Sequence, residues 1–442
     1  VSRVTLVVSQ SYISCYVRIC DHIARRSAPG HPATDPHFAR KAKILKNNPG
    51  PLSGIRVLDA ATFLAAPYAA SKLSEYGAEV IKVEHPVGDH MREIGPFRGD
   101  VSLWWKVIAR NRQSVTLDLS KEEGRSVFKE LASKCDVVIM NYRPDALKKW
   151  GLTFEDLVKC REDIIYFHLT AYGAGPYHQR PGFARVAEAF AGLTNRTGFP
   201  DGPPVQSGYA MLGDGIAGIY GAFALMLALR QRDLTGEPQS IDLGIYEPVL
   251  AMMEDMIINY DETGARMSRL GNSSPRWSPH GLFPTKDGLF AVLACSTEKL
   301  WQQLRELMGD NALKIYDNDS NKRVAERAEL EGRVAAWTMT YDLADLIQVC
   351  GEAGLAIGPI YSAAEIVEDP HIIARKSIIS VDEPETGKPL RMAAPAGRFS
   401  GFEGTVRHVG PLLGEHTDAV LSELLTYSPE RIEALRQQRV IK

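Results

Sequence analysis

The sequence predicts an α/β protein, doubly wound about a mostly parallel sheet, followed by a smaller α+β domain. Three observations carry this. Short apolar runs alternate with helical spacings from Ile55 to Leu243, the alternation of a layered α/β domain. The first two runs, Ile55–Leu58 and Glu79–Glu84, bracket one helical stretch, as in a right-handed βαβ unit. At 442 residues the chain exceeds what one core accommodates.

The first 50 residues stand apart, with eight Lys/Arg (Arg3, Arg18, Arg25, Arg26, Arg40, Lys41, Lys43, Lys46) against Asp21 and Asp35. An acid-poor, Arg- and Ser-containing start fits an organellar transit peptide; a disordered tail or a misplaced start codon fits equally. We read it as an extension outside the fold, and the location as cytoplasmic, or mitochondrial if the extension is a transit peptide. Order begins at Pro51. After Ile55–Leu58 comes a helix over Pro67–Tyr76, stopped by Gly77, and then the second strand. Further strands are predicted at Ser114–Leu119, Asp136–Met140, Ile164–Thr170 and Ser240–Leu243. A helix over Lys121–Ser133 opens on Ser120 with Glu123 three residues later, a capping box. Around Tyr260–Arg276 the pattern weakens into Gly, Asn, Ser and Pro, a linker. A hairpin follows, Gly281–Pro284 and Leu289–Ala294, turning at Lys286-Asp287-Gly288. Helices are expected near Glu298–Met308, Arg323–Ala336, Ala344–Ala353, Thr417–Leu425 and Pro429–Gln438.

Composition narrows the function. A net charge of −3 gives no general attraction to nucleic acid, and no apolar run approaches the roughly 20 residues of a membrane span. The six cysteines have no CxxC spacing and read as reduced intracellular thiols. The histidines do not cluster at metal-ligand spacing, and neither a GxxxxGK[ST] loop nor a G-x-S-x-G elbow occurs. The turn after the first strand, Ala60 to Ala66, lacks the glycines of a dinucleotide site, so NAD is rejected. His168 reads as a core histidine, and Trp104-Trp105 as a packed aromatic pair.

One stretch invites chemistry: Gly213-Asp214-Gly215-Ile216-Ala217-Gly218, continuing to Arg230 as a helix small and apolar on every face. Such a helix is buried against a sheet or a partner subunit. An Asp at its start meets free first-turn amides and the positive end of the helix dipole. Two readings stay open here, an ordinary N-cap and a mounted carboxylate nucleophile.

The order of motifs decides between them. Pro51 to Asp59, Ala66-Pro67, Gly77 to Glu84, Gly88-Asp89, Asn111 to Ser114, Leu117 to Leu119 and Asp136 to Val138 open the series. Thr197-Gly198-Phe199, Gly213-Asp214, Thr235 to Gln239, Gly358-Pro359-Ile360 and Pro411 to Thr417 complete it. Together they resemble the family III CoA-transferases, the family of formyl-CoA:oxalate and carnitine CoA-transferases. The resemblance implies a Rossmann-like large domain over 51–260, a small α+β domain with linkers over 261–375, and a return to the large domain over 376–442. It also implies an interlocked homodimer, with neither nucleic acid nor a membrane as partner.

On this resemblance Asp214 falls on the nucleophilic aspartate, between Gly213 and Gly215, whose amides would stabilise oxyanions. No cofactor is permanently bound; coenzyme A and acyl-CoA are substrates, with a carboxylic acid as acceptor. CoA contacts carry over to Leu64, Ala65, His85, Leu117, Asp118, Leu119, Asn141, Tyr142, Lys149, Gly182, Phe183 and Ala184. His85 and Lys149 stand where relatives have Arg, which weakens bidentate recognition. Phe183 stands where acyl-CoA racemases of this fold carry a His; phenylalanine moves no proton, so racemisation is disfavoured. The stretch Gly271 to Arg276 lacks the glycine run of the formyl-CoA transferases, which points to an acceptor larger than oxalate. Arg185 or Arg276 would pair with the far carboxylate of a diacid such as succinate. The expectation is a CoA-transferase acting through an aspartyl-CoA thioester, with succinyl-CoA a candidate donor; the alternative is a non-catalytic acyl-CoA-binding protein.

Overall fold

Six strands form the main sheet; the central β6, Val137–Met140, is an unbroken apolar run buried on both faces, whereas the edge strand β8, Gln239–Gly244, is only partly buried. In chain order the six are β1 (Arg56–Asp59), β2 (Glu79–Glu84), β5 (Arg112–Thr116), β6 (Val137–Met140), β7 (Ile165–Thr170) and β8 (Gln239–Gly244). A two-residue hairpin, β3 (Phe97–Arg98) and β4 (Val101–Ser102), precedes β5. The computed structural model describes residues 50–442, which group as one unit. The basic extension, with its targeting and tail readings, lies outside the described residues apart from Gly50.

The sheet order is β5-β2-β1-β6-β7-β8, with every pair parallel. Connections run outward from β1 in one direction and from β6 in the other. Between these two strands lies the switch point at which open α/β sheets bind ligands, beyond the carboxyl ends of the strands. Alternate side chains of each strand enter different cores. Leu58, Ile81 and Val138 pack with the helix Glu122–Ala132 and with Leu421, Ile432 and Val440 of the C-terminal segment. Val57, Val80 and Ile139 pack with α1 (Ala65–Glu75) and a 24-residue helix, Leu212–Thr235. The chain end is bonded to the sheet rim: Asp118 N–H donates to the Val440 carbonyl at 2.8 Å, and Lys442 N–H to Thr116 Oγ1 at 2.9 Å.

A separate core, including Phe283, Leu293, Leu304, Val334 and Leu346, sits under an antiparallel sheet of β9 (His280–Pro284), β10 (Phe290–Ala294) and β11 (Ile357–Pro359). The β9–β10 turn passes through Gly288 at φ 79°, a conformation glycine adopts without strain. A last hairpin, β12 (Ile378–Val381) and β13 (Leu390–Ala393), leads into the C-terminal helices.

Three expectations are corrected. The capping box at Ser120 does not form; the helix starts at Glu122, and Ser120 Oγ donates instead to Asp118 Oδ1 at 2.6 Å. The linker region begins later than expected, because the helix Glu254–Thr263 continues past Tyr260. The third correction concerns Leu212–Thr235, labelled α2 below. With 24 residues and a mean hydropathy of 1.6 in its most apolar window, it is long and apolar enough to cross a membrane by length and composition. It is not covered all round. Gly213, Ala217, Gly218, Gly221 and Leu225 face the protein, while Ile219, Phe223 and Leu227 on the opposite side are each more than half exposed.

The covered side is a backbone-to-backbone contact. A Cβ on Gly218 would stand 2.8 Å from the Ala65 carbonyl oxygen and 2.9 Å from Tyr68 Cβ, and one on Gly221 would stand 2.7 Å from the Phe167 ring. Around Gly215 there is open space. Gly218→Ala is therefore expected to lower stability by about 1–3 kcal/mol through overpacking, despite its better helix propensity. Gly215→Ala should be neutral or stabilising. Urea unfolding of the two variants makes the comparison.

Candidate active site

Four segments meet beyond the carboxyl ends of β1, β6 and β7. The loop after β1 is held from two sides. Thr62 N–H donates to Asn141 Oδ1 at 2.9 Å while Asn141 Nδ2 donates to the Thr62 carbonyl at 2.8 Å, a two-way clamp across the switch point. From the other side, the buried Lys82 ammonium donates to the Ala61 carbonyl and sits 3.3 Å from Asp89. Asp89 Oδ1 in turn accepts from Phe63 N–H at 3.3 Å. Phe63 has φ 63°, the left-handed region that costs a non-glycine residue of order 1 kcal/mol. Burial raises the Asp59 carboxyl above its usual range, with Lys82 and Arg112 pulling the other way. Arg112 pairs with Asp59 at 3.0 Å. A buried charge must be paired to be tolerated, and here the pairing fixes the loop.

Asp214 approaches from the far side. It is the third residue of α2, whose N-cap is Met211, so it is not the N-cap itself. Its carboxylate has no hydrogen-bond or ion-pair partner among the described residues. It lines a cavity of ≈ 240 Å³ with residues 62–65, Asn141, Arg143, Leu169 to Ala171, His178, Arg180 to Phe183, and Ile245. Behind it lies Glu188, fully buried on the helix Ala184–Phe190. Glu188 accepts from Gly213 N–H at 3.0 Å, from Ser207 Oγ at 3.0 Å and from Arg185 Nη1 at 3.4 Å. Burial first, then the like charge of Glu188, pushes the Asp214 pKa from 3.8 up to about 6. The positive end of α2 opposes both. The arrangement is an unpartnered carboxylate, ionised at neutral pH and short of stabilising bonds, facing a partly apolar cavity. That describes a carboxylate able to attack an electrophile.

The family model for CoA-transferase family III matches residues 52–417. The chain belongs to CoA-transferase family III. It is 39% identical over 398 residues to the succinyl-CoA–D-citramalate CoA-transferase of Chloroflexus aurantiacus, covering 89% of this chain and 98% of that one. It is 32% identical over 409 residues to the succinyl-CoA:glutarate CoA-transferase of Homo sapiens, covering 89% and 91% of the two chains. The crystal structure of a CaiB/BaiF family protein from Brucella suis superposes with a TM-score of 0.75 at 31% identity, over 85% of this chain and 100% of that one. The protein is a CoA-transferase with the mixed α/β, parallel-sheet fold of this family.

Of the positions carried over by resemblance, Leu64, Ala65, Asn141, Gly182 and Phe183 line the cavity with Asp214. Phe63 meets Phe183 edge-on at 5.4 Å and stacks on His90 at 5.2 Å, an aromatic wall at the mouth. The other carried-over positions lie elsewhere. His85, after β2, stands 3.8 Å from Asp118, after β5. Leu117 and Leu119 are core residues, and Ala184 is buried. Tyr142 packs edge-on to Trp150 at 5.1 Å, and Lys149 lies in the last turn of the helix Pro144–Trp150. The expected roles of the two arginines and the two glycines meet competing partners. Arg185 donates to Ser207 O and Oγ at 2.7 and 2.9 Å beside Glu188, and Arg276 pairs with Asp255 at 3.3 Å. Gly213 N–H is taken by Glu188, and Gly215 N–H donates to the Met211 carbonyl at 3.0 Å. Those two amides set the position of Asp214 and are not free for an oxyanion.

Sequence reasoning missed Glu188, Thr62, Phe63 and Arg180. The i,i+3 spacing of Arg185 and Glu188 hints at a pair, yet nothing local shows that it backs onto Gly213. His168 is the core histidine expected, its Nε2 2.8 Å from the Tyr142 carbonyl. Trp105 is the packed aromatic expected, buried with its indole N–H bonded to the Pro411 carbonyl at 2.9 Å.

Because the folded-state pKa of Asp214 is raised, the folded protein binds a proton more tightly than the unfolded chain between pH 3.8 and about 6. Stability is therefore lost as pH rises through that window. Asp214→Asn removes this loss. Relative to wild type it should gain stability progressively from pH 4 to 6 and keep the gain above that, as followed by urea unfolding across pH.

Proposed function

We propose that this CoA-transferase moves CoA from succinyl-CoA to a free dicarboxylic acid by ping-pong kinetics, with Asp214 as the nucleophile. The unpartnered Asp214 carboxylate, facing the cavity at the switch point, carries the reading. The relatives, transferases between succinyl-CoA and citramalate or glutarate, supply the substrate class. An Asp214 oxygen attacks the thioester carbonyl, the C–S bond breaks, and CoA leaves as a thiolate from a mixed succinyl–aspartyl anhydride. The thiolate then attacks the aspartyl carbonyl and expels succinate, leaving an aspartyl-CoA thioester. The acceptor carboxylate attacks that thioester, releasing the thiolate again. The thiolate takes the acceptor's acyl group and restores the Asp214 carboxylate. Each step exchanges one activated acyl group for another, so activation is conserved. Phe183 at the mouth carries no transferable proton, which fits acyl transfer in preference to racemisation.

Mass spectrometry after incubation with succinyl-CoA, with hydroxylamine trapping, should place a hydroxamate on Asp214 and none in Asp214→Ala. CoA binding with an unmodified Asp214 would instead support an acyl-CoA-binding protein. The acid limb of kcat/KM should lie near pH 6, where Asp214 ionises. Glu188→Gln removes the like charge and should move that limb to lower pH.

The exposed side of α2 supports a homodimer. Ile219, Phe223 and Leu227 repeat every four residues, and each is more than half exposed. A face this apolar is characteristic of an interface. Light scattering should give twice the chain mass, and Phe223→Asp with Leu227→Asp should shift it toward one; a monomeric wild type would sink this part of the reading.

A further inference from the structure

The CoA-transferase reading leaves open which group receives the far end of a dicarboxylic acyl chain. The two arginines nominated from the sequence are engaged, Arg185 with Glu188 and Ser207, and Arg276 with Asp255. Arg92 and Arg112 are spent on Glu84 and Asp59. Two other arginines, Arg143 and Arg180, both exposed, are among the residues that line the cavity holding Asp214. Neither has a carboxylate partner among the described residues. Arg143 is the N-cap of the helix Pro144–Trp150, which starts just after β6. Arg180 ends the turn that begins with Tyr177 N-terminal to it and lies over the Tyr177 ring at 3.7 Å. Gln179 Nε2 donates to Asp145 Oδ2 at 2.6 Å, which ties the two arginine-bearing segments together at the mouth. Stacking on an aromatic face orients a guanidinium while leaving its in-plane N–H donors open, and that planar fork matches a carboxylate.

We propose that Arg180 is a specificity-determining residue that binds the far carboxylate of dicarboxylic acyl groups. Arg143 adds positive charge to the same cavity. The assignment rests on the transferase reading for the identity of the ligand. The phosphates of CoA share this anion chemistry, and the test separates the two sources.

The probes are CoA, S-butyl-CoA and S-(3-carboxypropyl)-CoA, unreactive thioethers that differ only in the terminal methyl or carboxylate. Calorimetric dissociation constants are measured on wild type, Arg180→Met and Arg180→Lys. Wild type should bind the carboxypropyl ligand about 10- to 100-fold more tightly than the butyl ligand, the range of a charge-assisted contact. Arg180→Met should remove most of that preference while leaving CoA and S-butyl-CoA unchanged. Arg180→Lys, which keeps the charge and loses the fork, should fall between. Equal weakening of all three ligands in Arg180→Met would assign the residue to the CoA phosphates and overturn the proposal, as would a wild type with no preference. Labelling of Asp214 is read separately, so a failure here leaves the transferase reading standing.

Discussion

The approach of α2 to the turn that starts α1 is the contact on which the site depends. Gly218 lies within van der Waals reach of the Ala65 carbonyl, and Gly221 lies against the Phe167 ring. Any side chain there would lift the helix from the sheet and carry Asp214 away from the loop after β1. Small residues are thus required by geometry over several turns, and apolar neighbours follow because the contact is dry. The cost of a misplaced reacting group is steep, since acyl transfer needs atoms near 3–3.5 Å.

The loop opposite Asp214 is held by charge, in contrast to the packing that holds the helix. Lys82 projects from β2 and Arg112 from β5 into a layer where Asp59 and Asp89 are buried. Removing one partner would leave another charge uncompensated in a low dielectric, a loss of several kcal/mol. Glu188 plays the complementary part behind α2. Its carboxylate is bonded by Gly213, Ser207 and Arg185, which fixes it beside the Asp214 carboxylate, a group with no such bonds among the described residues. One acid is stabilised, and its field keeps the other reactive.

Much of this was legible in the sequence because burial on both faces leaves unmistakable apolar runs. The strands at β2 and β6 and the Gly288 hairpin follow from residue pattern alone. Asp214 was found through its glycines and the order of motifs around it. What escaped depends on direction and distance. Ser120 has the spacing of a cap, but its hydroxyl turns to Asp118, two residues back. Ile216 to Arg230 has no polar face, so its pattern does not distinguish the side that packs from the side left open. Arg185 and Arg180 are equivalent by composition; only the fold shows that one is tied to Glu188 and the other to an aromatic ring alone.

At its far end α2 is pinned as well. Arg232 reaches Asp136 at 3.0 Å, and Asp136 also takes Arg161 at 2.7 Å and the backbone N–H of Arg56 at 2.8 Å, all at the edge of the sheet where β1 and β6 begin. A helix of 24 residues spans about 36 Å at 1.5 Å per residue, and an α-helix resists compression along its axis. The helix therefore acts as a strut with a fixed foot. The position of Asp214 at one end of α2 is thereby coupled to an ion-pair cluster at the opposite edge of the sheet, a helix length away.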